Sequence, residues 1–87
     1  MPRITDDERS RFHSYLDVAI DKMNNPKNSQ KPHWSTQSIE DLFDHLCKEA
    51  DELSAEVMYE AKENTIDESN DVINIAMMII DNVRGNK

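Results

Sequence analysis

Four acidic residues stand in two short phrases of this chain, Glu49-Ala-Asp-Glu52 and Glu68-Ser-Asn-Asp71, with fifteen residues between Glu52 and Glu68. The first phrase reads ExxE and the second ExxD. On an α-helix, positions i and i+3 share a face one turn apart, so each phrase aims two carboxylates in one direction. Two helices joined by a short turn bring the pairs together. Left unneutralised, each close carboxylate pair at ~4 Å costs roughly 4 kcal/mol at an effective dielectric near 20. A divalent cation offsets that repulsion. Mg²⁺ takes only oxygen ligands and binds carboxylates together with substrate phosphates.

Helical periodicity supplies the elements that must carry these acids. Phe12, Leu16, Ala19, Ile20 and Met23 predict a first helix over residues 6–24, ended by Asn24-Asn25-Pro26. Residues 25–35 are polar, hold two prolines and read as a loop. A second helix is expected over about 36–62, with Ser35 or Ser38 as N-cap. Its apolar stripe is Leu42, Leu46, Ala50, Leu53, Val57 and Ala61. A break is expected at residues 63–66. The third helix then covers about 67–83, with Val72, Ile75, Ala76, Ile79, Ile80 and Val83 on its core face and Gly85 just beyond its end. The fold class is all-α: an antiparallel bundle of three main helices in one domain, residues 1–87.

Angular position separates a solvated acid from a working one. At ~100° per residue, Glu49, Glu52 and Glu56 border the apolar stripe of the second helix, whereas Asp44 and Asp51 oppose it. On the third helix Glu68 falls inside the apolar arc and Asp71 flanks it. An acid on a core-facing stripe is costly unless it is paired or coordinated. Glu68 also has a local alternative, because Thr65-x-x-Glu68 matches a capping box.

Other residues carry double readings. Trp34, in the loop, either stacks on a nucleobase or packs as a hydrophobic staple at the start of the second helix. Lys31 and His33 either reach phosphates or are solvated. Asn74 either binds a sugar or base or lies on a polar helix face. Asp41 and His45, at i,i+4, either bind a metal or form a surface pair, the commoner arrangement. Met58, Met77 and Met78 fit core or subunit contacts. No Glu is followed by His at i+3, which sets aside a ferritin-like di-iron site.

Charge narrows the partners. The net charge is −8. Residues 1–34 carry six Lys/Arg against five Asp/Glu, and residues 35–87 carry four against thirteen. So acidic a second half repels a nucleic-acid backbone and attracts cations. The single cysteine, Cys47, allows no internal disulfide and no CxxC zinc pattern. With no apolar leader and no run of about 18 apolar residues, a cytoplasmic protein without membrane contact is expected.

From Asn28 to Asn82 the chain resembles the MazG-like all-α nucleoside triphosphate pyrophosphohydrolases, in their short phage-type form. The resemblance lies in Lys31-Pro-His33-Trp34, in Cys47-Lys-Glu49-Ala-Asp-Glu52-Leu53, and in Glu68-Ser-Asn-Asp71-Val-Ile-Asn74 continuing to Asp81-Asn82. It implies Mg²⁺-dependent hydrolysis of a (d)NTP between its α and β phosphates, with Mn²⁺ as a substitute ion. Glu49, Glu52, Glu68 and Asp71 would be the metal ligands. One of the catalytic acids Glu49, Glu52 or Glu56 would polarise the attacking water. Lys31, His33, Trp34 and Asn74 would meet the substrate. Lys48 departs from the pattern, since many members carry a second Glu there. Longer members add a further helix, so the pocket is expected to need a neighbouring subunit to close it. The third helix is apolar over roughly 160° of arc, with Ile73, Met77 and Ile80 beyond the stripe one chain covers, which predicts a homodimer or homotetramer. The competing expectation is a non-catalytic acidic interaction module, or a nucleotide sensor without turnover.

Overall fold

Side chains and backbone capping decide where the helices begin. In a computed structural model describing residues 1–28 and 31–85, the order is α1 (Asp6–Met23), a 3-10 turn (Trp34–Thr36), α2 (Ile39–Met58) and α3 (Lys62–Arg84). Residues 29 and 30, within the expected loop, lie outside the described residues. No strand occurs among the described residues, so the all-α expectation is met. None of these helices is long and apolar enough to cross a membrane.

Thr5 caps α1 in a reciprocal box. Its hydroxyl accepts from the Glu8 N–H at 3.1 Å, and the Glu8 carboxylate accepts from the Thr5 N–H at 2.8 Å. Those bonds hold the Glu8 carboxyl below its ordinary value. Ser38, not Ser35, caps α2, accepting from the Asp41 N–H at 3.1 Å. Gly85 ends α3 at φ 74, a left-handed geometry that glycine adopts without a Cβ penalty.

The α2–α3 junction differs from the expected one. The chain turns at Tyr59–Ala61, with Glu60 at φ 54, and residues 63–66 are helical. No Gly or Pro marks the turn, so the polar run after it looked like the break. Thr65 is therefore inside α3, where its N–H bonds the Ala61 carbonyl at 2.8 Å. Its carbonyl accepts from the Ser69 hydroxyl at 2.7 Å. The capping-box account of Glu68 falls away with it.

α3 is the central element. α2 packs along it most extensively, α1 more lightly, and the 3-10 turn lies against its end. One residue from each helix forms the fully buried apolar core: Ala19, Leu42 and Ile75. Leu16, Met23, Leu46, Leu53, Val72, Ala76 and Ile79 are half-buried around them. Phe12, Ile20, Ala50, Val57, Ile80 and Val83, expected on core stripes, remain exposed. Asn74 is buried at 5% exposure and donates to the Ala19 carbonyl at 2.6 Å. It thus ties α1 to α3 and does not lie on a polar face.

Candidate functional site

The turn at residues 59–61 sets the register of the acids. Glu60 is its midpoint. Glu52 and Glu68 are each eight residues from it, and Glu49 and Asp71 each eleven. In an antiparallel helical hairpin, residues equidistant from the turn lie level with each other. The two carboxylate pairs therefore meet. One oxygen each from Glu49, Glu68 and Asp71 lies within 4.8 Å of the other two. Glu52 stands beside this trio, close enough to Glu49 for their carboxyl groups to interact.

This crowding shows in the titration of the group. Burial, then the Glu49 carboxyl and the charges of Glu52 and Asp71, push the Glu68 carboxyl up to about 7. Burial, then Glu52, also raises Glu49 above its ordinary value. Glu49 raises the cost of ionising Glu68, so a proton on one of the two relieves the crowding. Glu49 Oε2, Glu68 Oε2 and Asn74 Oδ1 are buried with no hydrogen-bond partner among the described residues. Buried carboxylate oxygens without donors are costly, and a hard cation is the partner that satisfies several at once.

Two further groups join the cluster. His45 Nε2 lies 3.3 Å from Glu49 Oε1, one turn away on α2. Burial, then the charges of Lys31 and Lys48, lower the His45 imidazole, so its neutral form dominates at pH 7. The sequence suggested Asp41 as its helix neighbour; the contact runs to the other i,i+4 acid. Lys22, near the end of α1, lies 2.7 Å from Asp71 Oδ1 and 2.8 Å from Asp67 Oδ1. It also donates to the Asp67 carbonyl at 3.1 Å. Burial opposes its charge, but the two aspartates outweigh burial and raise it.

A cleft of about 590 Å³ opens beside the acids. Glu49 and Asp71 line it, as do Lys31, His33, Trp34 and Asn74, the four residues expected to meet substrate. Lys22, Lys27 and His45 line it as well. Glu52, Glu56 and Glu68 are not among the lining residues. Glu56 lies two turns along α2 from Glu49 and outside the acidic trio.

Trp34 is fixed from two sides. Its indole N–H donates to Asp81 Oδ2 at 2.8 Å, and its carbonyl accepts from Asn82 Nδ2 at 2.8 Å. The same amide reaches the Gln37 carbonyl at 3.1 Å. His33 stacks on the indole with ring centroids 3.8 Å apart. The His33 Nδ1 accepts from the Ser35 N–H at 3.1 Å, which leaves Nε2–H as the donor of the neutral ring. Trp34 also lines a second, apolar groove of about 380 Å³ with Ile20, Met23, Met77, Met78 and Ile80.

Sequence reading missed Lys22, the His45–Glu49 contact and the Asp81–Asn82 anchor of Trp34. A helix pattern carries no record of which residue on another helix will answer it. The His45–Glu49 spacing was the one legible signal. Comparison of the chain with protein-family models, with curated proteins and with solved structures found no match.

Proposed function

We propose that this protein is a Mg²⁺-dependent nucleoside triphosphate pyrophosphohydrolase, releasing a nucleoside monophosphate and pyrophosphate. One observation carries the reading. Carboxylates from two successive helices converge beside a cleft that Glu49 and Asp71 line together with Lys22, Lys27, Lys31, His33 and Trp34, among others. Acidic and basic groups lining one cleft suit a metal-bridged polyphosphate, since phosphoryl transfer depends on positioning and charge neutralisation. The all-oxygen donor set and its unpartnered buried oxygens fit Mg²⁺, or Mn²⁺ as a substitute. Once bound, the ion would neutralise phosphate charge and acidify a coordinated water.

Glu49 and Asp71 would hold the ion on the cleft side, Glu68 and Glu52 on the other. We assign the orientation and deprotonation of water to Glu49, because it lines the cleft while Glu52 and Glu56 do not. Lys31 and the Nε2–H of His33 would receive phosphate oxygens. The Trp34–His33 stack offers an aromatic wall for a base. Asn74 Oδ1 remains free to accept a hydrogen bond. A panel of canonical and modified (d)NTPs with Mg²⁺ tests the reading. Equimolar pyrophosphate and monophosphate are expected from at least one. Orthophosphate release, or no product from any member, would sink it.

The same reading includes a homodimer or homotetramer. Phe12, Tyr15, Val18, Ile80 and Val83 are each more than half exposed, on α1 and α3. Apolar surface gathered on two helices in this way marks an association site. Of these residues, Ile80 lines the apolar groove with Trp34, which also lines the cleft. Light scattering at micromolar concentration is expected to give a multiple of the 10.1 kDa chain mass. A monomer with full activity would remove the second copy from the proposal.

A further inference from the structure

We propose that Lys22 is a resident counter-cation of the acidic cluster, which holds Asp71 in the metal-free protein and which a divalent ion must displace. The inference rests on the metal-centre reading above. All three ammonium donors of Lys22 are engaged: one carboxylate oxygen of Asp71, one of Asp67, and the Asp67 carbonyl. Its place in the last turn of α1 also favours a cation through the helix dipole. Asp71 thus serves two masters, because it also gives an oxygen to the trio with Glu49 and Glu68.

Mg²⁺ requires its ligand oxygens at about 2.0–2.1 Å and in near-octahedral directions. An ammonium bonded to the same carboxylate both repels the ion and restrains the ligand. Asp67 offers Lys22 somewhere to go, since it lies outside the trio and already accepts two of the three bonds. Released from Asp71, the ammonium still lines the cleft with Lys27 and Lys31. There it faces the volume an anionic ligand would fill. A second observation points to a ligand in that volume. Asn74, one turn beyond Asp71 and only 5% exposed, lines the cleft with its Oδ1 unpartnered. The consequence is an exchange of one internal cation for an external one, with Lys22 made available to phosphate as the metal arrives.

The test is Mn²⁺ binding to the full chain at neutral pH without nucleotide, read by electron paramagnetic resonance. Lys22→Met keeps the length of the side chain and removes its charge. It is expected to bind Mn²⁺ roughly tenfold more tightly than the unsubstituted protein. Asp67→Asn loosens the same tie but leaves Lys22 on Asp71, so it is expected to bind no more tightly. Affinity unchanged or weakened in Lys22→Met, beside clear binding by the unsubstituted protein, overturns the counter-cation and leaves the metal centre standing. Equal tightening in Asp67→Asn overturns it too, because loosening α1 would then be the cause. No Mn²⁺ binding by any of the three overturns both proposals. A readout on the unsubstituted protein covers a Lys22→Met chain that does not fold. Acetylation of Lys22 by acetic anhydride, followed by mass spectrometry, is expected to rise several-fold on adding Mg²⁺, and an unchanged or slower rate counts as refutation.

Discussion

Asp71→Asn is expected to cut pyrophosphohydrolase turnover by about 10²–10³-fold at saturating Mg²⁺, the scale on which a group stabilising transition-state charge is lost. The substitution preserves shape and removes one negative charge. Asp71 is the acid with most demands on it, lining the cleft, joining the trio and holding Lys22. Circular dichroism should show the helices intact, because an Asn oxygen still accepts from Lys22. Glu52→Gln is expected to lose a comparable factor, although Glu52 stands beside the trio and not in it. A Glu52→Gln protein with near-normal turnover would reduce the ligand set to three. Near-normal turnover in Asp71→Asn would falsify the metal-centre assignment altogether.

Mg²⁺ at about 100 times its Kd is expected to raise the melting temperature by roughly 10–20 °C, from ~2.7 kcal/mol of linkage acting on a domain this small. The pH dependence has a definite sign. Glu68 titrates near 7 when folded and near 4.5 when unfolded, so between those values the folded state binds the extra proton. Metal-free stability from this group is complete below 4.5 and is lost as pH rises through about 7. Glu49, raised on α2, acts in the same direction. His45 acts oppositely, because its lowered imidazole contributes stability that grows as pH rises toward 6.5. Lys22, raised on α1, stays charged throughout this window. The clean measurement is therefore the difference between Glu68→Gln and the unsubstituted chain. Without metal, Glu68→Gln should become progressively the more stable of the two as pH rises from 4.5 to 7, then level off. With Mg²⁺ at pH 8 the order should reverse, since the variant has lost a ligand. A difference that does not vary with pH would show that Glu68 is not the crowded, proton-holding member of the cluster.

Much of the arrangement was legible because helices encode their own faces. The 3.6-residue period located α1 to within one residue of its end. Ser38 was one of two N-caps the sequence offered, and Gly85 was the expected terminator. The i,i+3 spacing gave the direction of each carboxylate pair, since that depends only on helix geometry. The turn was misplaced for an equally physical reason. Glu60 adopts a positive φ without being Gly, Asn or Asp, so the residue that reverses the chain carries no compositional mark. Moving the turn from residues 63–66 to 59–61 is what makes Glu52 level with Glu68 and Glu49 level with Asp71.

By itself, then, the sequence determined the all-α class, the three helices, and four acids on core-bordering faces, all consequences of local periodicity and charge. Only the tertiary structure decided which groups answer those acids. Lys22 reaches Asp71 across 49 positions of sequence, and the Trp34 indole reaches Asp81 across 47. Nor does a stripe of apolar residues say how wide a partner will be. Val83 and Ile80 lie about 80° and 140° around α3 from buried Ile75, and both stay in solvent because α1 and α2 are too few to cover so wide an apolar arc. Such pairings and gaps depend on how helices cross. That is set by the packing of whole side-chain surfaces against one another, which no single helix's sequence contains.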